Sequence, residues 1–383
     1  EAYVQDVLDL IEYANGDEST AWGAKRVEDG HKDSFNLQYI AIGNSSYDEL
    51  YWRNFDVIYN AIQEKHPEIK IITYIDNDTN SEKAEEIRLN ANGLYNNLIV
   101  EENACVKGGK LFNKVDNFDD YERSGVQIAV SSYSVNTTVG DTLTKNNIWS
   151  AIENAAFLTG LEKNSDLVKM ASYETPLAKI NAQSKDTSLI WFDSQGMVMT
   201  PDYYMQMLFA NNVGTNYISM EDDFDVEGVY RSITVDTTEK VIYVKLVNST
   251  NTPHKININV DGFKNVNNPS AQYMSENFKS ACNEPGEDLH VAPVQTELTV
   301  KDNSIAYDLG SYSVNVIRIP YDTNDGSSLF KLPKTDLIVP FIPSFIGVAV
   351  SGVMIAFVLI TGAVILLVRL RHHKKVKDKQ KNK

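Results

Sequence analysis

The chain has 383 residues, 43% of them hydrophobic and 23% charged, with a formal net charge of −17. That length suits about two domains of about 150 residues each, and the composition excludes collagen-like, disordered and disulfide-scaffold proteins. The acidic balance excludes the basic face of a nucleic-acid binder, and two cysteines and six histidines without metal-ligand spacing leave no zinc site, so no metal and no cofactor is expected.

In chain order, Val4, Val7, Leu8, Leu10 and Ile11 recur at helical spacing until Asn15-Gly16 stops the run. Residues 39–43 form a predicted buried strand, followed by an amphipathic helix over 51–65 and a second strand over 69–74. A helix over 81–94, a strand over 98–100 and a strand over 126–135 come next. Then follow a helix over 147–161, a fifth strand over 188–192 and a helix over 203–210. Strands separated by helices imply βαβ units and a parallel sheet. After about residue 225 the pattern turns to strands with little helical period, at 229–235, 240–247, 255–260, 294–300, 304–307 and 313–319. That is the signature of an antiparallel β-sandwich.

Residues 337–368 carry no charge, and 345–368 form an unbroken run of 24 mostly apolar residues. A helix needs about 20 such residues to cross a bilayer core. Eight Lys/Arg and one Asp follow from Arg369, a net +7 that leaves −24 on the rest of the chain. Positive flanks mark the cytoplasmic side. The expectation is a single-pass type I protein at the cell surface or in an endomembrane, bound to the bilayer by this helix. The expected layout is 1–222, 223–322, a linker at 323–344, the span at 345–368 and a tail at 369–383. A type I protein needs a targeting segment, so the sequence is expected to continue upstream of Glu1 or to be processed. Outside the cytosol, Asn44, Asn77, Asn136 and Asn248, each in an Asn-X-Ser/Thr triplet, are expected glycan acceptors.

Longer words carry more. Asp6-Val-Leu-Asp-Leu-Ile-Glu-Tyr-Ala-Asn-Gly16, Phe35-Asn-Leu-Gln-Tyr-Ile-Ala-Ile-Gly-Asn44 and the run from Ala155 to Ser172 resemble the α-L-arabinofuranosidases of glycoside hydrolase family 51. Leu189-Ile-Trp-Phe-Asp193 and Thr200-Pro-Asp-Tyr-Tyr204 match as well, and the resemblance runs from about residue 3 to about 320. It implies an α/β fold: a (β/α)8 barrel, of which about strands four to eight are present, followed by the sandwich. Strands one to three are then expected from an upstream segment or a partner. The implied ligands are arabinose-containing or other glycans.

The family's retaining chemistry needs two glutamates about 5–5.5 Å apart. The acid/base motif Ile-Gly-Asn-Glu reads Ile42-Gly43-Asn44-Ser45 here, and the nucleophile motif Gly-Glu-Tyr-Ala reads Ser131-Ser132-Tyr133-Ser134. Both glutamates are serine. A third family feature, Asp-Glu-His-Tyr, reads Glu101-Glu102-Asn103-Ala104. Serine has no proton to donate near neutral pH, and general acid–base help is worth about 10²–10⁴-fold. Glu101, Glu102 and Asp193 are candidate substitute carboxylates, with loop orientation as the alternative. By the same resemblance Asn44, Tyr133 and Trp191 are expected at the sugar, with packing as the alternative for Trp149 and Trp191. A glycan on Asn44 would fill the barrel mouth. Cys105 and Cys282, in different domains, are expected to form no disulfide. Two functions stay open: a membrane-anchored relative that has lost hydrolysis and binds glycan or protein, or a working α-L-arabinofuranosidase using displaced carboxylates.

Overall fold

The computed structural model describes residues 2–43, 49–74, 95, 97–136, 146–180, 187–220, 224–260, 263 and 266–322. Two compact units divide the chain, Glu1–Phe341 and Ile342–Lys383. The second lies outside the described residues, and with it the predicted span 345–368. Among the described residues no helix is long and apolar enough to cross a membrane.

Helix α1 (Ala2–Asn15) buries Leu8, Ile11 and Ala14 along one stripe. Helix α2 (Ala21–Glu28) starts at Thr20, whose hydroxyl accepts the Gly23 N–H. From α2 the buried Arg26 guanidinium donates to the carbonyls of Tyr13 (2.9 Å) and Gly16 (2.7 Å). The last carbonyls of a helix have no partner within it, so Arg26 closes α1 and pins α2 to it.

Strands β1 (Tyr39–Ile42), β2 (Lys70–Tyr74), β3 (Leu98–Lys107), β4 (Gln127–Asn136) and β5 (Val168–Tyr173) form a parallel sheet in chain order, with α3 (Glu49–Lys65) between the first two. Parallel strands covered on both faces read as continuous apolar runs, and Ile71, Ile72, Leu98, Ile99, Val100, Ile128, Ala129 and Val130 are all buried. The arrangement is a half-barrel. The predicted helix over 81–94 lies outside the described residues.

Two strand expectations are corrected. The fifth strand of the sheet is Val168–Tyr173, not 188–192. Lys169 and Ser172 interrupt its apolar pattern, yet Lys169 is buried, with its amine 3.4 Å from the Ser165 carbonyl. Residues Ile190–Phe192 instead form β7 of a small sheet between β6 (Leu177–Lys179) and β8 (Met197–Met199). Strand β3 also runs on to Lys107, through a polar Glu-Glu-Asn stretch that masks it in the sequence.

Helix α4 (Ile148–Lys163) opens with a reciprocal cap between Asn147 and Ser150. Every residue from Ile148 to Glu162 except Trp149 is buried. A helix buried all round lies between two layers. Here these are β4 and β5 on one side and the sandwich on the other. Gly160 is required, because a Cβ there would lie 1.9 Å from the Val115 carbonyl oxygen. Helix α5 (Pro201–Ala210) follows, carrying the buried Asp202.

The sandwich comprises β9 (Asn216–Tyr217), β10 (Val229–Asp236), β11 (Val241–Asn248), β12 (His254–Asn259), β13 (Ser270–Ser275), β14 (Val294–Glu297), β15 (Ser304–Leu309) and β16 (Ser313–Pro320). Its main sheet runs β14-β13-β16-β11-β10-β9, and β12 pairs with β15. The sequence pattern misses β13, where only Ala271 and Met274 are buried among polar neighbours. Strand β9 joins this sheet from before the expected boundary at 222/223.

Lys245 of β11 reaches Glu162 of α4, and the Ser232 hydroxyl donates to the same carboxylate. Both ions are almost wholly buried. Burial raises the Glu162 pKa and lowers that of Lys245, while their pairing opposes both shifts. Removing one partner of such a pair costs about 3–5 kcal/mol, whereas apolar replacement of both is often neutral. Lys245→Met is therefore expected to lower unfolding free energy by about that amount, and Glu162→Met/Lys245→Met to recover most of it in denaturant titrations.

Glu153 of α4 accepts the Gly109 N–H with both oxygens (2.7 Å each), holding the turn after β3. Burial, opposed by these backbone donors, pushes its pKa from 4.5 up to about 7. The folded state is thus favoured while Glu153 is protonated. That stabilisation is complete below about pH 4.5 and is lost as pH rises through about 7, on the order of 3 kcal/mol. Glu153→Gln is expected to flatten this slope in melts between pH 4.5 and 8.

Candidate functional site on the concave face

Strand register decides which side chains share the inner face. Ala41 stands beside Ile72, Ile72 beside Ile99, Tyr74 beside Glu101 and Glu101 beside Ala129. Ile72, Ile99 and Ala129 pack with Tyr39 and Met170 as an apolar floor. Further along the strands the same face turns polar, with Asn103 beside Ser132 and Cys105 beside Ser134. Register shifts interrupt β4 against both neighbours in this stretch. Such bulges re-aim side chains next to functional sites. This is the C-terminal end of the strands, where barrel enzymes place their chemistry.

Ser132, which the motif words put at the nucleophile position, pairs with Asn103 on this surface and is half-buried. Glu101 lies on the same face and accepts a short hydrogen bond from the Ser131 hydroxyl. Burial raises the Glu101 pKa, and the Ser131 donor pulls it back. Ser45 and Asn44 lie outside the described residues, as do Asn77 and the side chain of Asn136.

Other expected site residues point elsewhere. Tyr133 is fully buried on the helix side, its hydroxyl donating to Gln206 and its ring packed near Phe157 (5.8 Å) and Tyr173 (5.6 Å). It is a core residue, not a sugar contact. Glu102 alternates onto the same outer side and accepts from the Tyr121 hydroxyl at 3.2 Å, so it is removed from the concave face. Asp193 is exposed and accepts the N–H groups of Gln195 (2.7 Å) and Gly196 (3.0 Å), shaping the β7–β8 turn. Trp191 is half-buried and donates its indole N–H to Asn146 (3.3 Å). Asn146 in turn donates to Asp202 (2.8 Å). Asp202 also accepts from Ser150 (2.6 Å) and Asn154 (2.7 Å). Trp149 packs on Phe112 (5.3 Å) beneath the Lys279 amine (3.5 Å). Asn248 is fully buried and its amide donates to the carbonyls of Thr252 (2.9 Å) and Gly310 (2.8 Å). The folded chain leaves no room for a glycan on that nitrogen.

The sequence reading missed Glu174. It follows β5 directly, its N–H donates to the Tyr133 carbonyl (3.0 Å), and its carboxylate accepts the Cys105 thiol at 3.1 Å. The available signal was a carboxylate just after a strand, hidden because that strand was not recognised. Cys282 lies 3.3 Å from Glu284, so the two cysteines make no disulfide with each other. Among the described residues no three His, Cys, Asp or Glu side chains converge as metal ligands would.

The two inner-face carboxyls are bonded at separate levels. Glu101 and Cys105 are four residues apart on β3, a rise of about 13 Å. A retaining pair needs its carboxyls at about 5–5.5 Å. The described part of the face thus carries Glu101 with Ser131, and Glu174 with Cys105 further along β3. Ser131→Ala removes a donor to the ionised Glu101, so the Glu101 titration is expected to move upward in carboxyl-selective NMR.

Residues 129–313 match the α-L-arabinofuranosidase C-terminal domain, and residues 1–123 match the α-L-arabinofuranosidase 1 domain. The chain is 32% identical over 333 residues to α-L-arabinofuranosidase 2 of Arabidopsis thaliana, covering 83% of this chain and 47% of that one. An extracellular exo-α-L-arabinofuranosidase of Streptomyces chartreusis is 32% identical over 222 residues, covering 56% of this chain and 25% of its own length. The chain thus spans about half the length of the Arabidopsis relative and less of the bacterial one. Among solved structures, an arabinose-bound family 51 α-L-arabinofuranosidase, MgGH51, superposes with a TM-score of 0.70 at 21% identity, covering 84% of this chain and 51% of that one. The Thermotoga maritima α-L-arabinofuranosidase–arabinose complex gives 0.64 at 19% identity, with 82% and 73% covered. These last two likenesses carry the fold. With both domain matches in chain order along the half-barrel and the sandwich, the chain belongs to the α-L-arabinofuranosidase-like proteins of glycoside hydrolase family 51.

Proposed function

We propose that this chain is a membrane-anchored family 51 protein that has lost hydrolysis and acts by binding arabinose-containing glycans or a protein partner. One observation carries the reading: the nucleophile position on the concave face is a hydroxyl, Ser132, where a carboxylate is needed. Serine at position 45 removes the acid/base by the same logic. The polar inner face of Glu101, Asn103, Ser131 and Ser132 is suited to hydrogen-bonding a polyol. The apolar run 345–368 and the basic residues after it support a type I anchor, with the half-barrel and sandwich on the lumenal or extracellular side. On this reading an upstream segment or a partner supplies the remaining barrel strands.

A second reading, a working α-L-arabinofuranosidase, draws on Glu101. Its carboxyl sits on the inner face, and burial raises its pKa towards that of a general acid. The test is hydrolysis of an aryl α-L-arabinofuranoside by the full chain purified from membranes. The expected result is no turnover by the natural protein and measurable turnover by Ser45→Glu/Ser132→Glu, since each restored group is worth about 10²–10⁴-fold. Turnover by the natural protein that disappears in Glu101→Gln would establish the second reading instead.

A further inference from the structure

A cavity of ≈ 590 Å³ opens where the C-terminal end of α4, the turns around Val115 to Arg123, and strands β9 and β10 meet. Neither Glu101, Ser132 nor Glu174 lines it. Its volume falls within the range of small-molecule sites, about 300–1,000 Å³, which favour seams between domains.

The charges of this cavity cancel locally. Lys163 lies 2.6 Å from Asp119 and 3.7 Å from Asp116, and Arg123 lies 3.4 Å from Asp166. The remaining cation, Arg231, stacks over Phe224 at 4.5 Å. Three cations thus face three carboxylates. A phosphate would meet the carboxylates and a metal ion would meet the guanidinium groups. A neutral ligand leaves the ion pairs intact while sharing their spare N–H groups and lone pairs.

Two tyrosines, Tyr217 and Tyr230, line the same space. The Tyr230 ring is stacked on Phe112, with centroids 5.4 Å apart and planes at 16°. Tyr217 stands on β9, whose backbone pairs it with Thr234 of β10. Aromatic rings with a polar tip suit ligands that present both C–H faces and hydroxyl groups.

We infer that this seam between half-barrel and sandwich is a second binding site, for a neutral oligosaccharide. It goes beyond the proposed function and holds whether the concave face has kept or lost hydrolysis. Sugar rings stack on Tyr217 and Tyr230, and their hydroxyls exchange hydrogen bonds with the Lys163–Asp119 and Arg123–Asp166 pairs.

The test uses the full chain in detergent, with calorimetry and ligand-observed NMR. The probes are the neutral trisaccharides arabinotriose, xylotriose and cellotriose, with inorganic phosphate and a trigalacturonate as charged controls. At least one neutral probe is expected to bind, and the charged controls are not. Tyr217→Ala should weaken that binding by about tenfold or more, and Ser219→Trp, at an exposed position lining the cavity, should abolish the binding that Ser132→Trp leaves in place. Ser132→Trp, which obstructs the concave face, should leave it in place. If Tyr217→Ala does not fold, Ser219→Trp decides alone, because it removes no buried contact. Absence of neutral binding, preference for the charged controls, or indifference to Ser219→Trp would each overturn the inference. Loss in Ser132→Trp alone would also overturn it, while leaving glycan binding on the concave face intact.

Discussion

Burial of α4 on every side is the constraint around which the rest of this unit is arranged. A helix in that position presents its polar side chains to protein alone, and each must be satisfied there. Ser150 and Asn154 meet Asp202 of α5, Glu153 meets the turn after β3, and Glu162 meets Lys245 and Ser232 of the sandwich. One helix thereby fixes the half-barrel, α5 and the sandwich relative to one another. The strand that carries Ser132 packs against it, and its Glu153 holds the turn after the strand that carries Glu101.

The concave face has the strand layout of the family's fold, and its described polar groups are mainly hydroxyls and amides beside Glu101. Bulges in β4 still aim Ser131 and Ser132 inward, at the level where the floor of Ile72, Ile99 and Ala129 gives way to polar groups. A serine hydroxyl in general donates and accepts hydrogen bonds but neither attacks an anomeric carbon unaided nor protonates a leaving group near neutral pH.

Most of the layered organisation was legible from apolar periodicity, because buried parallel strands and amphipathic helices leave strong patterns. The strands at Tyr39, Lys70 and Gln127, the long helices α3 and α4, and six sandwich strands follow directly. What escaped was the strand whose buried positions include a lysine, Val168–Tyr173, and the one alternating with small polar residues, Ser270–Ser275. At the site, Ser132 of the motif words lies in β4 beside Asn103, within a strand that apolar periodicity already locates. The orientation of Tyr133, Glu102 and Asp193 depends on bulges, alternation and a turn, and none of these is readable without the register. Glu174 was lost together with the strand before it.

The two halves of the described unit also differ in how their neighbours are ordered along the chain. Each strand of the half-barrel pairs with the one synthesised just before it, so the sheet can grow in step with the ribosome. In the sandwich, β11 lies between β10 and β16, and β16 also pairs with β13, so the central strand waits for the last one to emerge. Glu162 waits as well, since Lys245 is made 83 residues after it. During synthesis α4 therefore exists for a time with its outer face and an unpaired carboxylate open to water. Closing the sandwich joins residues far apart along the chain, the class of contact that in general forms slowly.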